Sequence, residues 1–127
     1  MDAIVYAVCI SLGFATLENI MYVYNSGTSA AIYVAILRGL TAVPAHALFG
    51  LTMGLMFINY SFIKKNNYNL AMCFIYPMLM HATYNFLVGH TNVFIVIIIL
   101  IISWRIQLRK FRSFKELQQT QKSYKKI

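Results

Sequence analysis

Gly13-Phe14-Ala15-Thr16-Leu17-Glu18-Asn19-Ile20-Met21-Tyr22 puts a carboxylate and an amide inside an otherwise apolar run from Ala3 to Val23. A helix of about twenty such residues rises ~1.5 Å per residue and is long enough to cross the ~30 Å hydrocarbon core of a bilayer. A carboxylate near mid-bilayer costs at least ~2.5 kcal/mol on insertion scales, so Glu18 requires a partner, a proton or a task. Phe14, Glu18 and Tyr22 are spaced i, i+4, i+8 and share one helix face, which must look into the protein.

The composition agrees with a membrane setting. The chain has 127 residues, 60% of them hydrophobic and 11% charged, against about 25% charged in soluble domains. This length accommodates roughly four spans with short loops and a tail, hence one all-α polytopic membrane helix bundle. The formal net charge is +8, but most basic residues lie between Arg105 and Lys126. They predict a basic cytoplasmic tail over 111–127, facing anionic lipid beside a transmembrane domain over 1–110, and not a nucleic-acid partner. Cys9 and Cys73 lack Cys-x-x-Cys spacing and read as small apolar residues. Asp2 stands where a secretory signal carries a basic residue, so the first run reads as a span and not as a leader.

Beyond the first span, Asn25 to Ser29 is a polar connection. Ala30 to Val43 is apolar, contains Arg38 and stops at Pro44. Its roughly fourteen residues fall short of the ~17 needed to span, which predicts one short interfacial or re-entrant helix. Pro44 then opens a second span to Ile63, where its missing N–H costs nothing. In that span His46, Gly50 and Gly54 repeat every fourth residue, a small-xxx-small face that a neighbouring helix can approach closely. A third span from Leu70 to Val88 carries His81 and Asn85 on one face, with Pro77 expected to kink it. Gly89 to Asn92 leads to an apolar fourth span, Val93 to Trp104. Phe111 and Phe114 then alternate with basic residues, a pattern that suits the headgroup region, and Gln118 to Ile127 are expected to be mobile.

The positive-inside rule puts Lys64-Lys65 and the tail in the cytoplasm, giving four spans and both termini cytoplasmic. Glu18 then lies about fifteen residues, or ~22 Å, along its helix from the cytoplasmic start, and His81 about eleven residues, or ~17 Å, along its own. His46 is near the outer start of the second span. All three fall in the outer half of the bilayer, which predicts one outward-facing polar site. Singly, each reads equally well as interhelical packing glue worth under about 1 kcal/mol. Together they favour function, because intramembrane ionisable groups mark reaction or ion pathways.

A glutamate or histidine can take a proton from water, while His81 and Asn85 can donate to a developing oxyanion. This reading uses no metal. The alternative makes His46, His81 and Glu18 zinc ligands with an open fourth position, although no His-Glu-x-x-His pair is present. A proton relay in a small transporter is a further option. Arg38 reads as a snorkelling cation or as a partner for a carboxylate such as Glu18, and Asn19 as a helix-to-helix hydrogen bond. His90 falls in a connection, outside the site.

Asp2-Ala3-Ile4-Val5-Tyr6-Ala7, Gly13 to Asn19 with Tyr22, Arg38 followed by His46-Ala47-Leu48-Phe49-Gly50, and His81-Ala82-Thr83-Tyr84-Asn85 together resemble the PrsW family of intramembrane proteases, over roughly Asp2 to Phe86. The resemblance implies a multi-span protease of the bacterial cytoplasmic membrane, related to the CAAX-prenyl endopeptidases. It would hydrolyse peptide bonds in or next to a transmembrane segment of a membrane protein, as the family's namesake cuts an anti-sigma factor on its extracytoplasmic side. It also implies that His46 helps a glutamate activate water and that His81 with Asn85 holds the oxyanion. Glu18 matches the glutamate of the family's Glu-Asn segment, with Arg38, Asn19 and Tyr22 as substrate-binding or supporting residues. The family carries a Glu-Glu-x-x-Lys motif on an upstream helix, and no Glu-Glu occurs here. The expectation is therefore a C-terminal portion, inactive alone as a protease; the alternative is a binding or scaffold protein that keeps the groove without the reaction.

Overall fold

An apolar chain in lipid must satisfy its backbone hydrogen bonds within itself, and a helix does so segment by segment. The computed structural model, which describes residues 2–62 and 67–124, consists of helices α1 (Asp2–Asn25), α2 (Ala31–Phe62), α3 (Asn67–His90) and α4 (Val93–Tyr124), with no strand among the described residues. The protein is an all-α membrane helix bundle, as expected. Three stretches, Asp2–Asn25, Ala31–Ser61 and Asn69–His90, are long and apolar enough to cross a membrane. In α4 the apolar run ends at Trp104, before Arg105, Arg109 and Lys110.

One expected element is absent. The separate short interfacial or re-entrant helix predicted over Ala30–Val43 is instead the first part of α2, which runs through Pro44 for 32 residues. Proline removes a single helical donor, and the surroundings keep this segment helical through the defect. Thr41 Oγ1 donates to the Leu37 carbonyl at 2.8 Å, Tyr84 Oη donates to Thr41 Oγ1 at 3.0 Å, and Trp104 Nε1 donates to the Pro44 carbonyl at 3.2 Å. At about 48 Å, α2 is longer than the ~30 Å hydrocarbon core. Helix α3 is likewise continuous through Pro77.

The connections have local causes. Gly27 follows α1 at φ +74°, the left-handed position that ends a helix without a side-chain penalty, and Ser26 N donates to the Tyr22 carbonyl at 3.1 Å. Asn92 Oδ1 accepts from Phe94 N at 3.0 Å and caps α4. Lys64-Lys65, on which the positive-inside reading partly rests, lie outside the described residues, as do 125–127. Residues 111–124 continue α4.

Helix α2 is the centre against which α1, α3 and α4 each pack. The face of Gly50 and Gly54 meets α1 so closely that a Cβ on Gly50 would lie 2.7 Å from Val8 Cα, and one on Gly54 2.6 Å from Ile4 Cα. On another side of α2, Ala42, Ala45 and Phe49 pack with Tyr84 of α3 and with Val96 and Leu100 of α4. Phe111 and Phe114 pack toward Ile4, Leu51 and Ile58, so this part of α4 leans on the bundle. Among the described residues the backbones of α1 and α3 do not approach one another. A groove floored by α2 runs between them.

Candidate active site

The close packing of α1 on α2 sets the position of His46. Ser11 Oγ donates to the His46 backbone carbonyl at 2.7 Å, and the imidazole, 2% exposed, points at the α1 face two turns beyond Ser11. There its Nε2 lies 3.2 Å from Glu18 Oε2. From the opposite wall, His81 Nε2 lies 3.4 Å from Glu18 Oε1. Each carboxylate oxygen therefore faces its own imidazole, and the two rings are 4.8 Å apart. Phe14 and Phe49 close the box: the centroid of each lies within 5.8 Å of both imidazoles.

Glu18 also has its counter-charge. Arg38, buried on α2, donates from Nη2 to Glu18 Oε2 at 2.7 Å and from Nε to Asn19 Oδ1 at 2.7 Å. Its guanidinium carbon sits 3.8 Å from the centroid of the Tyr22 ring, a cation–π contact. The alternative of a snorkelling Arg38 is thereby set aside. Asn85 Nδ2 approaches His81 Nε2 at 3.2 Å, one helical turn along α3, and fixes the orientation of that ring. Among the described residues no buried side-chain polar atom lacks a partner.

Glu18, His46, His81, Asn85, Arg38, Asn19 and Tyr22, expected from four separate segments, thus form one network. His90 stands apart, stacked on Phe86 with ring centroids 4.3 Å apart. Ser11, Phe49, Thr41 and Tyr84 were not anticipated. Their signal was helical spacing: Ser11 is seven residues before Glu18, Phe49 and Thr41 are three residues from His46 and Arg38, and Tyr84 is three from His81.

On every helix the groove lies to one side of this network. Ile10 and Phe14 form one wall, Phe74 and Met78 the other, Gly50 and Met53 the floor, and His46 and His81 the polar end. Its volume is about 320 Å³. The result is an apolar trough that ends at two imidazoles, both of which face the Glu18 carboxylate.

Glu18, His46 and His81 each offer one metal-ligating atom, all within 4.8 Å of one another. Two imidazole nitrogens and a carboxylate oxygen are a donor set of catalytic zinc sites. Bonds of about 2.0–2.1 Å place tetrahedral ligand atoms roughly 3.4 Å apart. The three ligand atoms lie within 4.8 Å of one another, so small side-chain shifts bring them to that spacing and the donor set fits a divalent metal.

The family model described as PrsW family intramembrane metalloprotease matches residues 1–106. Among curated relatives, the chain is 38% identical over 121 residues to Protease PrsW of Oceanobacillus iheyensis, covering 91% of this chain and 53% of that protein. It is 32% identical over 120 residues to Protease PrsW of Clostridioides difficile, covering 90% and 50%. With Protease PrsW of Bacillus subtilis it shares 32% identity over 124 residues, covering 94% and 55%. The chain spans about half the length of these relatives. No solved structure matches it. With more than half of its residues matched by the family model, and the residues that carried the resemblance meeting in one network, the chain belongs to the PrsW family of intramembrane proteases.

Proposed function

We propose that this chain supplies the hydrolytic site of an intramembrane protease, which cuts a peptide bond in or next to a transmembrane segment of a membrane protein such as an anti-sigma factor. Glu18, His46 and His81 hold a divalent metal, zinc by donor type. The observation that carries the reading is the convergence of these three side chains, ligand atoms within 4.8 Å, at the polar end of an apolar groove. A metal bound there supplies Lewis acidity to the scissile carbonyl and to water.

The chain's own residues do the rest. The groove takes apolar side chains of a locally unwound segment, because a carbonyl still bonded within its helix is not free to react. Arg38 fixes the rotamer of Glu18, and Asn85 Nδ2, 3.2 Å from His81 Nε2, would give up that contact when the nitrogen ligates. The Asn85 carboxamide is also placed to donate to the oxygen on which charge develops. Water reaches only the polar end, away from the apolar walls.

The Arg38–Glu18 ion pair at 2.7 Å favours a second reading. Here Glu18 is neutralised without a metal, and His46 takes a proton from water while His81 and Asn85 hold the oxyanion. Chelation separates the two: it abolishes cleavage in the first reading and leaves it in the second.

The setting proposed is the bacterial cytoplasmic membrane, with several spans, both termini cytoplasmic, the site in the outer half and residues 111–127 beside anionic lipid. The bacterial relatives and the basic run on α4 support it.

The test is cleavage of a tagged single-span substrate in membranes expressing the complete reading frame that contains this chain. His81→Ala should abolish cleavage with expression intact; cleavage that survives this change overturns the proposal. A scaffold that kept the groove alone would capture the substrate and leave it whole in both proteins.

A further inference from the structure

Helices α3 and α4 are joined by a tight turn, yet each packs more on α2 than on the other. The cleft this leaves is lined by other residues than the candidate active-site groove, except that Phe49 borders both. One part of it, about 300 Å³, is apolar and lies between Leu79, Met80 and Leu87 of α3 and Val96, Ile99 and Leu100 of α4. Another part, about 340 Å³, is the more polar of the two, with Thr52, Asn59, Gln107 and Lys110 set among Leu55, Met56 and Phe114. Tyr76 lines both, so the two parts adjoin at its side chain.

The order of the two parts has a chemical meaning. The polar part sits at the basic end of α4, beside Arg105, Arg109 and Arg112, and is floored by a buried bond in which Gln107 Nε2 donates to Thr52 Oγ1 at 2.9 Å. That floor leaves the Lys110 ammonium, the Asn59 amide and the Tyr76 hydroxyl, from three different helices, as donors toward an anion. The apolar part then follows α4 away from its charges. From Lys110 to Val96 is about 21 Å along the helix, enough for a headgroup plus the ~15 Å depth of one leaflet's hydrocarbon.

We propose that the α3–α4 cleft binds one anionic phospholipid, its phosphate at Lys110 and an acyl chain along Leu79, Met80 and Leu100. Charge complementarity at one end and an apolar channel of leaflet depth at the other select this occupant over a peptide, whose backbone would leave unpaired polar groups against the apolar wall. The site is independent of the reading given to Glu18, His46 and His81. It differs from diffuse attraction between a basic helix and a charged surface in depending on one lysine and on the shape of the cleft.

The experiment is native mass spectrometry of the detergent-purified protein with phosphatidylglycerol or phosphatidylcholine added in mixed micelles. The expected result is one retained phosphatidylglycerol per chain, favoured over phosphatidylcholine about tenfold, the size of one charge-assisted contact. Lys110→Gln should remove that preference. Arg109→Gln deletes the same charge on the same helix outside the cleft, and should leave the preference within about twofold. Ser103→Trp, which fills the apolar part, should abolish retention of both lipids. Thr83→Phe repeats the test from the opposite wall, with helical content checked by circular dichroism. Equal retention of the two lipids, an equal effect of Arg109→Gln and Lys110→Gln, or retention unchanged when either wall is filled would each overturn the proposal. So would absence of the lipid from the protein made from its complete reading frame, because the rest of the polypeptide would then fill the cleft.

Discussion

Arg38 holds three residues of α1 at once, through Glu18, Asn19 and the face of Tyr22. Removing one partner of a buried ion pair leaves the other charge uncompensated and is expected to destabilise by about 3–5 kcal/mol. Arg38→Met should therefore lower thermal stability in micelles sharply, and Arg38→Lys should do so by less, keeping the charge while losing the forked donors. The combination of Arg38→Met with Glu18→Gln should recover much of the loss, because it removes both charges together. Strict additivity of the two single effects would show that the pair is not energetically coupled. The need of Glu18 for a partner was legible before any coordinates, but its pairing with Arg38 was only one of two readings of that residue, because a cation in a short apolar segment can equally snorkel to the interface. Depth along the helices suggested His81, whereas the depth read for His46 rested on a span opening at Pro44 and α2 in fact begins at Ala31. The Ser11 bond to the His46 backbone and the Tyr84 bond to Thr41 were not legible, because hydroxyls in apolar helices commonly satisfy themselves on their own preceding turn, as Thr16 and Thr83 do here.

At the scale of the element, the contact between α1 and α2 rests on Gly50 and Gly54, where added methyl groups would meet backbone at 2.7 and 2.6 Å. Backbone cannot yield as a flexible side chain does, so Gly50→Ala and Gly54→Ala should force the helices apart. The expected cost is about 1–3 kcal/mol each, as for overpacked cores. Gly39 on the same helix has nothing within 4 Å of the added carbon, and Gly39→Ala should be neutral or stabilising by up to ~1 kcal/mol through helix propensity alone. Denaturant titration of the three variants in micelles measures both outcomes. If Gly39→Ala proved as damaging as Gly50→Ala, glycine would matter for the backbone and not for the contact. The small-xxx-small face was legible in the sequence because it repeats with the helix. Pro44 was not, since its local rule says boundary while its surroundings say helix. Hydrogen bonds from Tyr84 to Thr41 and from Trp104 to the Pro44 carbonyl come from 43 and 60 residues away, beyond the reach of any local pattern.

For the whole molecule, the arrangement that matters is that α1 and α3 share α2 as a neighbour without packing on each other. Only side chains bridge them at the polar end, through Glu18 with His81 and Phe14 with His81, and the groove beyond is open between its walls. A substrate segment arriving within the membrane would enter sideways, between α1 and α3, and meet the polar cluster at the end of the trough. Ile10 and Met78 line opposite walls of that trough. Helices α1 and α3 run in the same direction, and each residue lies about one turn before the cluster, Ile10 before Phe14 and Met78 before His81, so the two sit at similar depth. Under the function proposed above, the protein made from the complete reading frame carrying Ile10→Cys and Met78→Cys, with Cys9 and Cys73 replaced, should cleave a single-span substrate until the new thiols are joined by a short reducible bifunctional crosslinker. It should then stop, and recover on reduction. A crosslinker on either single-cysteine variant should leave most of the rate, which separates closure of the groove from mere modification of its wall. Undiminished cleavage by the crosslinked protein would mean that substrate reaches the cluster by another path, past Tyr22 and Arg38, and the apolar groove would then lose its role in substrate entry.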